Sequence, residues 1–417
     1  MRILIAICSV QYRSGAELFV RDLALALHRR GHTVVVYAPI MGDMVDELRA
    51  RCIACVTELP NIAEAPDLIL GNTRDDTVAC LAHFPGVPVV SICHDRTNPH
   101  GRPPLFTRVR QHIAVDENCA ERLTLEHGIP RSAIEIVSNG VDLDRFAPRA
   151  PLPARPQRAA IFSNYSTEHQ DTATIRRACL AAGLALDVIG AGVGSQAKSP
   201  ELLLGQYDLV FAKARCAMEA MAVGCAVVLF NEGMGIAGMV TAGNVREWHR
   251  WNFGRRLLQT PLDEAAVAQA IASYRAEDAA AVSTYVRTHV SLAATTQGIE
   301  GIALRVLRAE PARGPVGPQQ EIREFARHMA DELMPMGVTQ TAMQISVLHE
   351  RIAALEARLR EPPASPIPDA SLAQPSNELA ATQARIAALE QQVRDLHASR
   401  SWRVTAPLRW IAARLGA

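Results

Sequence analysis

The sequence predicts an α/β protein built from two successive doubly wound halves, followed by a helical extension. Three observations predict it. Short apolar runs of strand length alternate with helix-period segments from Met1 to about Asp144. After a Pro-rich stretch, "FAPRAPLPARPQR", the same alternation starts again and ends near Arg308. Beyond that point the composition changes, and apolar residues recur at steps of three and four. Strands alternating with helices imply a parallel sheet covered on both faces, and the Pro-rich stretch reads as an interdomain linker.

In chain order, "RILIAIC" is the first buried strand. It has one Arg, a short apolar run and no small-residue cleavage site, so it reads as a strand rather than a signal peptide. "AELFVRDLALALHRRG" carries apolar residues at helical spacing, and Gly31 closes that helix. "HTVVVYAP", "PDLILGN", "VPVVSICHD", "QHIAVDE" and "IEIVSNG" are further short apolar strands. The second series runs through "AAIFSN", a helix near Thr172–Ala182, "ALDVIG", "YDLVFA" and "CAVVLF". "AEPARGPVGPQQ" is a second linker. Ile345, Leu348, Ile352, Leu355 and Leu359 then form one heptad segment, and Leu379, Ile386, Leu389, Val393 and Leu396 a second, interrupted by Thr382. The predicted boundaries are 1–150, 151–310, 311–400 for the linker and interrupted coiled coil, and 401–417 for a tail mixing Arg with Trp and Leu.

A chain of 417 residues is long enough for two domains and an appendage. Its 43 basic and 43 acidic residues give a net charge of +0, so no global field points to nucleic acid. No apolar run approaches the roughly 20 residues that span a bilayer. The 9 Cys are odd in number and scattered in apolar contexts, which favours reduced thiols in a cytoplasmic setting. Cys52 and Cys55 form a C-x-x-C without a second ligand pair at zinc spacing, which favours two small core residues over a metal site.

"KARCAMEAMAVGCAVVLFN", from Lys213 to Asn231, places Glu219 inside the most apolar segment of the chain. Three segments carry a resemblance that explains it. "SGAELFVRDLALALHRRGHTVVVYAP", "GIPRSAIEIVSNGVDLDRFAP" and "AMEAMAVGCAVV" resemble the opening, the interdomain crossover and the donor-site helix of retaining GT-B glycosyltransferases of the family 4 type, similar to glycogen and sucrose synthases. The resemblance covers roughly residues 1–310. It implies a nucleotide-sugar donor as substrate, no separate cofactor and no metal ion. It implies that Glu219 accepts hydrogen bonds from the ribose hydroxyls, a task suited to an acceptor-only carboxylate. A Glu capping a backbone amide is the structural alternative. The same resemblance places a His, here His94 with Asp95 beside it, near the transferred sugar.

The chain departs from that pattern in three places. A second Glu is expected eight positions before Glu219, where Phe211 stands. The Arg and Lys expected after the first strand of the second half are replaced by "FSNYSTEHQ". The chain between "DVIG" and "YDLVFA" is short for a strand–helix unit. Ser163 and Asn164 as hydrogen-bond donors, and Lys213 or Arg215 as cations, are the candidates for the phosphates. Gly15 would allow close backbone approach, with the helix from Glu17 offering free amides to an anion. Asp116 and Glu117 line the same strand ends, as site residues or as a helix cap. The D-x-D of "VDLD" reads as a turn and "GAGVGS" as a loop rather than a dinucleotide fingerprint.

The expected function is transfer of a sugar to a hydroxyl acceptor, a glycan or lipid-linked glycan, in cell-surface polysaccharide assembly. An inactive nucleotide-binding scaffold and a nucleotide-sugar epimerase of the same fold are the rivals. The heptads would pair chains into a homo-oligomer, and the tail, with Trp402, Trp410, Arg403, Arg409 and Arg414, would touch an anionic membrane from the cytoplasmic side. A tail docked on its own coiled coil is the other reading.

Overall fold

The computed structural model describes residues 1–167, 170–309, 317–330, 346–353, 355–357 and 374–398. These fall into two compact units, residues 1–316 and 317–417. In chain order the first unit begins β1 (Arg2–Ala6), β2 (Ser9–Val10), α1 (Gly15–Arg29), β3 (Thr33–Tyr37), β4 (Ile40–Met41), α2 (Met44–Arg49) and β5 (Ala54–Val56). It continues with β6 (Leu68–Gly71), α3 (Arg74–His83), β7 (Val89–Cys93), β8 (Val109–Ala114), α4 (Glu117–Leu125) and β9 (Ile134–Ile136). Seven of these strands form one parallel sheet in the order β5-β3-β1-β6-β7-β8-β9, while β2 and β4 pair separately. β6 and β7 are buried along their whole length, as expected of strands covered on both faces.

The second half carries β10 (Arg158–Phe162), α5 (Gln170–Ala181), β11 (Ala185–Ile189), β12 (Leu209–Ala212), α6 (Ala214–Val223), β13 (Ala226–Asn231) and β14 (Gly235–Met239). Its five strands lie in the order β11-β10-β12-β13-β14, with β14 antiparallel at the edge. The stretch between β11 and β12 holds only single-turn 3-10 helices, in line with its shortness in sequence. The helices α7 (Val245–Arg250), α8 (Glu264–Ala272) and α9 (Ala276–His289) follow. The strand order reverses beside β1 and beside β10, and ligands of such sheets bind outside the carboxyl ends of the strands.

α10 (Leu292–Arg308) does not stay with the second sheet. Its Ile299, Ile302 and Ala303 are packed in the core of the first. His32 lies 2.7 Å from Glu300, and Arg30 donates to the same carboxylate. Two chain crossings therefore join the halves, and they touch: Val141 pairs with Ser291 as an isolated bridge. A Cβ on Gly140 would lie 2.4 Å from the Ser291 carbonyl carbon, so only glycine fits this contact. The "VDLD" segment is part of the same crossing, where Asp142 accepts from the Arg145 amide at 3.2 Å in a turn.

Two expectations are corrected here. Phe211 is no replaced site carboxylate: it is a fully buried residue of β12. One residue, Lys213, joins β12 to α6, so counting eight positions back from Glu219 lands inside the strand. Cys52 is not a core residue either. It is exposed in a left-handed turn at φ 61, and Cys55 is half-buried in β5.

In the second unit, residues 346–353 and 355–357 are helical, as are α11 (Pro318–His328) and the helix Gln374–Ala398. Ile386, Leu389 and Val393 are the least exposed residues on the described face of that last helix, at the spacing expected of a heptad stripe. Ile345, Leu359 and the tail 401–417 lie outside the described residues. Among the described residues no helix is long and apolar enough to cross a membrane.

Candidate active site

Most of the predicted site residues follow the carboxyl end of a strand. β7 runs into His94 and Asp95, β10 into Ser163 and Asn164, and β12 into Lys213 and Arg215. Burial, and after it the charges of Asp95, Cys216 and Glu17, raise the pKa of Tyr165.

α6 starts sharply. Lys213 is its N-cap residue without a side-chain cap, and Ala214 is forced to φ 48. A left-handed non-glycine residue costs roughly 1–3 kcal/mol and persists only where its surroundings hold it. Here the Ala214 amide donates to the Phe253 carbonyl at 2.8 Å. Lys213 projects over the Tyr165 ring, 5.3 Å from its centroid, and 3.6 Å from the Met234 sulfur. Among the described residues it has no carboxylate partner. Burial lowers its pKa, and the nearby Arg255 lowers it further.

One turn on, the Arg215 Nε donates to Glu219 Oε1 at 2.7 Å. The Arg215 Nη2 donates to Asp22 on α1, so the guanidinium spans the two halves. Arg21 also donates to Asp22 at 2.8 Å. Burial would raise the Asp22 carboxyl, but Arg215 and Arg21 outweigh it and hold the pKa low. Burial lifts Glu219, and Arg215 only partly reverses this. Burial pulls Arg215 down, yet Asp22 and Glu219 together raise it, so it stays charged. Arg215, expected to meet a phosphate, is thus spent on two carboxylates. Among the described residues no backbone amide donates to Glu219, and nothing donates to its Oε2.

His94 is set differently. The Asn72 amide nitrogen donates to the Ala6 and Leu70 carbonyls at 3.2 and 3.3 Å. Its Oδ1 therefore faces His94 Nε2, 2.8 Å away. Nε2 must carry the proton, which leaves Nδ1 as an acceptor. Phe19 packs edge-on against the ring, and burial drives the pKa down to about 4. A His depressed in the folded state favours folding fully above its unfolded value near 6.5 and loses that contribution as pH falls toward 4. The expected result of an NMR titration is a His94 ring that stays neutral from pH 5.5 to 8. In Asn72→Asp, a carboxylate beside the ring should raise its pKa by at least one unit. An unchanged titration there would refute the tautomer assignment.

The other predicted residues are committed to loops. Asp95 Oδ1 accepts from the Thr97 amide, the Thr97 hydroxyl and the Asn98 amide at 2.5, 2.9 and 2.7 Å. Burial would raise it, but those amides hold its pKa low. Ser163 Oγ accepts from the Tyr165 amide at 3.2 Å. Asn164 donates to the Arg13 carbonyl at 3.3 Å across the cleft and accepts from the Ala191 amide. Asp116 is the N-cap of α4, where its Oδ1 accepts from the Cys119 amide at 2.7 Å. "GAGVGS" forms a loop, and a Cβ on Gly190 would lie 1.9 Å from the Ser163 carbonyl.

Gly15 is the first residue of α1 and a Cβ there would meet nothing within 4 Å. The amides before it are not free for an anion. Glu17 takes those of Gln11, Tyr12 and Ser14 at 3.0, 3.1 and 2.9 Å, in a capping box with Ser14. The turn before α1 is thus filled by the chain's own carboxylate, and the Glu17 amide donates to Ser14 Oγ at 3.5 Å. Sequence reasoning missed Asp22, Asn72 and Arg255. No local motif marks them, because their partners lie far along the chain.

The fold resembles solved structures of one class over nearly three quarters of the chain. A glycosyltransferase from Rickettsia africae ESF-5 is 14% identical, with 74% of this chain and 99% of that chain covered at TM-score 0.54. Anabaena Alr3699/HepE in complex with UDP and glucose is 17% identical, with 73% and 100% covered at TM-score 0.52. The fold is the GT-B fold. Residues 13–145 of this GT-B chain match the family model Glycosyltransferase Family 4. No curated protein sequence matches it. Among the described residues no group of three or more His, Cys, Asp or Glu is arranged to hold a metal ion.

Proposed function

We propose that the protein is a retaining glycosyltransferase that moves a sugar from a nucleotide-sugar donor to a hydroxyl acceptor. The observation that carries this is α6 itself: among the described residues, Lys213 at its start has no carboxylate partner and one carboxylate oxygen of Glu219 has no donor. Lys213 meets the donor diphosphate, and Glu219 Oε2 accepts from the ribose. Arg215 positions Glu219 rather than touching phosphate. His94 Nδ1 accepts from a hydroxyl of the sugar, and Asp95 shapes the loop that carries His94. Ser163 and Asn164 keep the adjoining loop in place, and Gly15 leaves the mouth of α1 open. The family match and the UDP-bound neighbour support this reading.

The bond from the anomeric carbon to the diphosphate breaks, and a new one forms to the acceptor oxygen. The acceptor proton passes to the departing phosphate oxygen. Fixed cations favour that step because negative charge builds on the leaving group in a water-poor cleft. Lys213 supplies charge there without a bound ion, so the reaction is metal-independent. The acceptor is a glycan or lipid-linked glycan. The helical extension pairs chains, and the basic aromatic tail contacts anionic lipid on the cytoplasmic face.

The test is slow hydrolysis of donors without acceptor, screened over UDP- and GDP-sugars, with and without chelator. Release of free nucleotide from one donor, unaffected by chelator, is expected. An epimerised donor without release, or no release from any, would overturn the transferase reading.

A further inference from the structure

The segment 249–257, "HRWNFGRRL", is built unlike an ordinary connection. Asn252 and Phe253 both adopt left-handed backbones, at φ 54 and 50. Phe253 is fully buried, and its carbonyl holds the amide of Ala214, itself left-handed, at the first residue of α6. The Trp251 ring carries two guanidinium groups, those of Arg250 and Arg256, each 5.2 Å from its centroid. Both arginines reach over to the other half: Arg250 lies 3.7 Å from Glu117 and Arg256 3.7 Å from Glu121, one turn apart on α4. The segment thus grips the first half on one side and the start of α6 on the other.

Arg255 sits between these attachments, with an exposed side chain. The bond from the Ala214 amide to the Phe253 carbonyl brings Arg255, two residues beyond Phe253, to the same end of α6 as Lys213, the residue before Ala214. Asp95 already uses one oxygen for three donors of its own loop. Among the described residues neither Lys213 nor Arg255 has an ion-pair partner. Two like charges held together in a cleft destabilise the empty site and favour a dianion between them.

We propose that segment 249–257 is a cross-cleft clasp that brings Arg255 to the diphosphate beside Lys213 when the halves are closed. The clasp supplies from the far end of the half the second cation that "FSNYSTEHQ" does not offer. It rests on the donor-site reading for its nucleotide, but not for its affinity toward pyrophosphate.

Calorimetry on the full chain with inorganic pyrophosphate, UDP and UMP tests it. Arg255→Ala should weaken pyrophosphate and UDP at least tenfold and UMP by less than threefold, with Arg255→Lys recovering part of the loss. Arg250→Ala/Arg256→Ala, which leaves Arg255 intact, should weaken UDP at least threefold. The proposal is overturned if wild type binds no pyrophosphate, if Arg255→Ala binds it within twofold of wild type, or if the double variant keeps full UDP affinity. Arg255-dependent binding of pyrophosphate without any binding of UDP or other nucleoside diphosphates would leave the clasp standing and remove the donor reading.

Discussion

Replacing Arg215 by Met is expected to destabilise the protein by about 3–5 kcal/mol, the cost of breaking a buried pair by removing one partner. The reason is what remains. Asp22 and Glu219 are 5% and 4% exposed, and both lose the cation between them. Asp22 keeps Arg21, but Glu219 loses its one hydrogen-bond partner among the described residues and keeps only the weaker pull of Arg145. In the wild type the Asp22 pKa is lowered, so its contribution is present above the unfolded value near 3.9 and lost as pH falls through the folded value. In the variant both carboxyls move upward, and the folded state then binds more protons than the unfolded one. The deficit should therefore shrink from pH 8 to pH 5 and grow again on return. Urea unfolding at several pH values measures it. A pH-independent deficit below 1 kcal/mol would show that the network adds little.

Glu219→Gln is the complementary change. Gln keeps the size and offers Oε1 to Arg215 as a neutral acceptor. Arg215 also retains Asp22, so the fold should survive with a smaller stability loss than Arg215→Met. Affinity for the nucleoside diphosphate should fall by about 1.5–3 kcal/mol, the range for hydrogen bonds to a charged group. UDP and GDP titrations compare the two proteins directly. If the variant binds as tightly as wild type while losing stability, Glu219 serves the interface with Asp22 and not the ribose.

Sequence periodicity located the strands of both sheets well, because fully buried parallel strands read as continuous apolar runs. It missed the three-residue edge strand β5 and β14, a Gly-rich antiparallel edge whose pattern resembles a loop. Glu219 stood out because a charge in an apolar helix is conspicuous. Its actual partnership did not, since Asp22 is 193 residues from Arg215 and sits on an ordinary amphipathic helix. Phe211 misled because a residue count carries no information on where a strand ends. The turn before Gly15 was legible only in outline: its shape follows from the sequence, but Glu17 reaching back to three of its amides does not.

The return of α10 to the first sheet has a consequence for synthesis. A ribosome releases the seven strands of the first sheet well before it releases Ile299, Ile302 and Ala303, which complete their core. The first half thus emerges with an apolar flank uncovered while the whole second half is still being made. Domains usually fold in the order they are synthesised. Here the second half, enclosed between the two crossings, has all its strands before the first can close. A nascent chain halted near residue 160 should bind a holdase chaperone, and one halted beyond the end of α10 should release it.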